Sequence, residues 1–67
     1  MSVVQRAAVV TGLVQQALEE LHQLTTYGMS SAASSRHSKA HEAVRKSLVE
    51  ARNTMAGLSL ALGKESA

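Results

Sequence analysis

The chain predicts an all-α fold, an antiparallel two-helix hairpin of coiled-coil character, and three observations carry that expectation. Two stretches place apolar residues alternately four and three apart, the seam of a helix that packs on another helix. One clear interruption, Tyr27-Gly28-Met29-Ser30, separates them. The apolar residues are Ala, Val, Leu and Met, with no proline and one aromatic, Tyr27, which suits helix seams better than sandwiches.

The first helix is expected from about Val3 to Thr26. Val3, Ala7, Val10, Val14, Ala17, Leu21 and Leu24 form its seam, with Gln5, Gly12, Glu19 and Thr26 opposite. Val4, Ala8, Val9, Leu13 and Leu18 widen the stripe, most of all before Val14, whereas Gln15, Gln16, Glu19, Glu20, His22 and Gln23 make the second half amphipathic.

The interruption supplies a stop and a start. Gly28 takes the left-handed conformation at little steric cost, and Leu24 and Met29 occupy the positions whose contact accompanies a Schellman stop. Ser30 or Ser31 then caps the next helix. The serine-rich stretch from Ser30 to Ser38 reads either as a link or as the first two turns of the second helix, since it holds neither Gly nor Pro. Ser38 offers a second cap.

The second helix is expected from about Lys39 to Leu62, with a start near Ser31 as the alternative. His41, Val44, Leu48, Ala51, Met55, Leu58 and Leu62 repeat the four/three spacing. Glu42 and Lys46 make an i,i+4 pair worth about 0.3 kcal/mol. Gly63 supplies the stop, Lys64 lies beside the negative end of the helix dipole, and residues 63–67 form a frayed tail.

The 67 residues make one domain, and a chain this short buries only about 60% of its unfolded surface. Without cysteine, disulfides, iron–sulfur clusters and thiolate zinc sites are excluded. A formal charge of +2 is too small to argue for nucleic acid by itself. The opening residues lack a signal peptide's pattern, and Gln5, Arg6, Gln15 and Gln16 break the first apolar stretch short of a membrane span. A soluble, cytoplasmic protein is the expectation.

An asymmetry points towards function. In an antiparallel hairpin the start of helix one lies beside the end of helix two, and Val3–Val14 and Met55–Leu62 are the stretches apolar on more than one face. Two helices bury one stripe each, so an apolar patch is expected at the terminal end, of the kind that marks an interaction surface. Val4, Val10, Leu13, Leu58, Leu60 and Leu62 are its candidate contact residues. Gly12 and Gly57 either let a partner helix approach closely or are simply tolerated.

The polar residues offer other chemistry. His37 and His41, four apart on one helix face, are the candidate metal ligands, with His22 within reach of a folded-back chain. No carboxylate completes the set, and the plain reading is ordinary histidines near a polar loop end. A His41 in the seam would gain charge below its reference value of about 6.5 and weaken association in mild acid. Lys39, Arg45, Lys46 and Arg52 form a candidate basic face for RNA or another acidic partner; the plain reading is a solvated surface. The chain shows no phosphate loop, nucleophile elbow or paired carboxylates, so neither catalysis nor a cofactor is expected.

In size and layout the chain resembles the small helical-hairpin co-chaperones of type III secretion. The resemblance rests on Gln15-Gln16-Ala17-Leu18-Glu19-Glu20 leading to Gly28, and on Ala51-Arg52 followed by Gly57-Leu58. It covers about half the chain, and the serine-rich stretch after Gly28 is longer than that family's pattern. It implies docking of the apolar end on a larger tetratricopeptide-repeat partner. The function expected from all this is a non-enzymatic protein–protein interaction module, an adaptor or small chaperone-type subunit. Its hairpin is completed to a four-helix bundle by a second copy or by a larger helical protein.

Overall fold

The computed structural model describes residues 2–66. It is all-helical: α1 (Val3–Gln23), a wider turn over Leu24–Gly28, α2 (Ser31–Arg36) and α3 (Ser38–Ser66), with no strand among the described residues. The result is a rod of 51 × 18 × 11 Å.

A capping box starts α1. Ser2 Oγ accepts from the Gln5 N–H at 3.1 Å, and Gln5 Oε1 accepts from the Ser2 N–H at 3.0 Å, so two donors at the helix start are satisfied reciprocally. The letters Ser2-x-x-Gln5 carry that signal, although the hydrophobic periodicity alone does not use them.

The first helix ends differently from the Schellman stop expected at Gly28. Among the described residues no glycine has a positive φ. The last turn instead widens to π geometry over Leu24–Gly28, and the chain leaves through an extended Met29 at φ −112°, ψ 136°. That exit sends Met29 into a groove with Leu21, Leu24, Ala40 and Val44. Leu24 and Met29 therefore line one groove without a left-handed residue between them.

Ser30 Oγ then accepts from the Ala33 N–H at 3.1 Å and caps α2. The serine-rich stretch is helical up to His37, whose φ −110°, ψ 16° makes a one-residue break. Hydrogen bonds from the His37 N–H to Ala33 O and from the His41 N–H to His37 O run across that break. At the far end α3 continues through Gly63 to Ser66 rather than stopping at Gly63; a glycine in a helix interior costs only about 1 kcal/mol.

The long helices pack on each other with late residues of α1 beside early residues of α3. Thr25 Oγ1 lies 2.5 Å from His41 Nε2, and Leu18 and Leu21 share a groove with His41, Arg45 and Val49. The same Thr25 hydroxyl lies 3.1 Å from Leu21 O, so it joins the end of the first helix to His41.

Candidate interaction face

The side chains drawn towards α3 are Val4, Ala7, Thr11, Val14, Leu18 and Leu21 of α1 and Thr25 of the turn after it, all buried or half-buried. They keep the four/three alternation. Ala7, Val14 and Leu21 belong to the expected seam, but Val3, Val10 and Leu24 have given way to Val4, Thr11 and Thr25. The same exchange occurs on α3: His41, Leu48, Met55 and Leu62 are half-buried as expected, while Arg52 and Ser59 lie inward and Val44 and Leu58 are exposed. Each helix has turned so that part of its apolar seam looks at its neighbour, while Val3, Val10 and Leu24 on one side and Val44 and Leu58 on the other look out.

The seam that results is weak. Ala7 is the only buried apolar residue among those described. Thr11 satisfies its hydroxyl on Ala7 O at 2.9 Å, and Ser59 Oγ is shut from solvent without a hydrogen-bond partner, a cost on the order of 1 kcal/mol. By contrast Val3, Val10, Leu13, Leu24, Val44 and Leu58 stand between 44% and 60% exposed.

These outward residues share one side of the molecule. Val3, Val10 and Leu24, with the half-buried Ala17, fall at seven-residue spacing along α1 and the turn after it, and Val44 and Leu58, with the half-buried Ala51, do so on α3. Residues at that spacing stay on one side of a helix, at about 100° per residue. Leu24 and Val44 line the same groove, so the two lines meet there. His22, Arg45, Val49 and Arg52 line a separate groove, with Leu18, Leu21 and His41 between the helices.

The six residues expected at the terminal end divide. Val10, Leu13 and Leu58 lie open on this side; Val4 and Leu62 are half-buried between the helices. Leu60 is 70% exposed but follows Leu58 by two residues, about 200° round the helix, and does not join them. Nor is the apolar surface confined to the terminal end: rotation of both helices extends it to Leu24 and Val44 at the turn.

The glycines sit off this side. A Cβ built at Gly12 or Gly57 meets nothing within 4 Å, so packing within the chain does not require either glycine.

The four basic residues do not make one patch. Lys39 and Lys46 are seven apart, as are Arg45 and Arg52, but the two lines lie about 120° from each other around α3. Arg45 is engaged by Glu42, with Nε donating at 3.0 Å and Nη2 donating to the second carboxylate oxygen. The hydrogen bond from Arg45, helped by the charges of Arg45 and Lys46, holds the Glu42 carboxyl below the usual range despite a smaller opposing effect of desolvation. Glu42 therefore pairs with Arg45 three residues on, not with Lys46 four residues on.

Of the candidate metal ligands, His41 is half-buried and bonded to Thr25, while His37 is exposed at the break. His22 Nε2 lies 3.5 Å from Thr26 Oγ1. Among the described residues no three metal-ligating side chains come together.

A folded monomer of 7.1 kDa exposes about 4,100 Å2. This chain exposes 5050 Å2, roughly 950 Å2 more. No helix among the described residues is long and apolar enough to cross a membrane. No family model, curated protein or solved structure matches the chain. What the molecule presents is an all-helical rod with an uncovered apolar side.

Proposed function

We propose that the chain is a cytoplasmic, non-enzymatic interaction module. It works as an antiparallel helical hairpin whose open apolar side is covered by helices from outside it, completing a four-helix bundle. The observation that carries this reading is the shared rotation of the two helices. In a four-helix bundle each helix aims its apolar seam at the bundle centre, between its neighbour in the hairpin and the helices stacked on top. The seams here point in that intermediate direction: Ala7, Val14, Leu48 and Met55 towards the neighbour, Val10, Leu24, Val44 and Leu58 towards an open side.

The adaptor or chaperone-type role belongs to the same proposal, since such subunits act by covering apolar helices of another chain. The resemblance to type III secretion co-chaperones supports that role on layout alone. The basic face is the lesser reading, because Arg45 is tied to Glu42 and the two lysines lie on a different side from the arginines.

Substitution separates covered from solvated positions. Leu58→Glu places a charge on the open apolar side and abolishes assembly, read as loss of the associated species by light scattering. Gln16→Glu, at an exposed polar position, leaves assembly as it is. Equal tolerance of both contradicts the proposal.

A further inference from the structure

We infer that the occupant of the apolar side is a second copy of this chain, laid across it in the opposite direction about a two-fold axis perpendicular to the helices. In this arrangement Leu13 meets the partner's Leu13 and Arg6 faces the partner's Glu20. This rests on the interaction-module reading and adds the identity, direction and register of the partner.

Area comes first. The chain's excess exposure of roughly 950 Å2 is close to the ~800 Å2 per partner that a standard specific interface covers. One copy is enough to remove it.

The pattern on that side is self-complementary under reversal. On α1, reversal about the point between residues 13 and 14 sets Val3 against the partner's Leu24 and Val10 against the partner's Ala17. On α3, reversal about residue 51 sets Val44 against the partner's Leu58, while Ala51 meets its own equivalent. A single axis must serve both helices, and it does. Counting back from Thr25 and forward from its bonded partner His41 brings residues 13–14 level with residues 52–53. The two midpoints therefore agree within about two residues, about 3 Å along the axis.

Charge then selects the direction. Arg6, Leu13 and Glu20 are seven apart on the outer edge of the apolar side of α1, and all three are exposed. Reversal about Leu13 brings each arginine to the partner's glutamate, twice per dimer, with the two leucines between. If the two-fold ran along the helices, α1 would face the partner's α3. Leu13 would then lie beside the partner's Thr54 and Glu50, Arg6 would lie level with the partner's Leu60, and Glu20 would lie level with the partner's Lys46, which is about 200° round α3 from the outward Val44. Within one chain Arg6 and Glu20 are about 21 Å apart along the helix and cannot pair.

Charge reversal tests this on the full chain. Dimer dissociation is measured by sedimentation at low salt for the unaltered chain, Arg6→Glu, Glu20→Arg and the double variant. Each single reversal is expected to weaken the dimer about tenfold, because two pairs turn from attraction to repulsion. The double variant restores it to within about threefold. Leu13→Cys, in a chain without another cysteine, is expected to give a disulfide-linked dimer on oxidation.

A dimer whose double variant is as weak as the two reversals combined overturns this register and leaves the interaction module standing. A poorly helical monomer overturns self-pairing and points to helices of another protein. A fully helical monomer at all concentrations overturns both.

Discussion

The two broad sides of the rod contrast in what they leave to solvent. One carries Val10, Leu13, Leu24, Val44 and Leu58 in the open. The other carries Gln15, Glu19, His22 and Arg45, with Val49 half-buried among them. Both belong to the same two helices and the same heptad spacing, so secondary structure does not separate them. Rotation does. The apolar sector of each helix is wider than one neighbour can cover, and the helices meet near one edge of it.

The largest effect that sharpens this contrast comes from comparing two exposed residues. Val10→Glu, at 44% exposure on the apolar side, should abolish assembly. Leu60→Glu, at 70% exposure on the opposite flank, should leave it unchanged. Exposure alone predicts the reverse order, since the more exposed residue is the more visible target. Concentration-dependent helicity by circular dichroism distinguishes the two.

A smaller effect concerns the backbone away from both sides. Gly12→Ala and Gly57→Ala add a methyl that meets nothing within 4 Å, so each should stabilise the fold by about 1 kcal/mol, read as a raised urea midpoint. A loss of stability at either would place a neighbouring helix against that glycine.

The smallest effect lies at Glu42. Arg45 holds its carboxyl below the usual range, so the pair's contribution is complete above the unfolded carboxylate value. It is lost as pH falls through the lowered folded value. Helicity followed from roughly pH 6 to pH 2 should fall slightly further in the unaltered chain than in Glu42→Gln. Both groups are exposed, so the difference is expected to be small.

The all-helical fold was legible because spacing, composition and the absence of proline agree. Part of each seam was legible as well, Ala7, Val14 and Leu21 on one helix and His41, Leu48, Met55 and Leu62 on the other, but the aim of the rest was not. Four/three spacing says which residues share a side, and it leaves open which neighbour that side meets. Only the half-buried Thr11, Thr25, Arg52 and Ser59 show that each helix has turned by part of a residue step. Polar letters at those positions could not announce burial. Gly28 misled for a different reason: glycine permits a left-handed stop without requiring one, and a widened turn followed by extended Met29 brings Met29 to the same groove as Leu24. The capping box at Ser2 and Gln5 was present in the letters and needed only the cap rule.

Whether this all-helical chain is half of a bundle is tested most directly by molar mass. Light scattering on a sizing column covers a wide concentration range, with helicity recorded on the same samples. The expected result is a dimer that is strongly helical and loses helicity as it dissociates, because among the described residues Ala7 alone is buried within one chain. A monomer that keeps its full helicity at every concentration would contradict it.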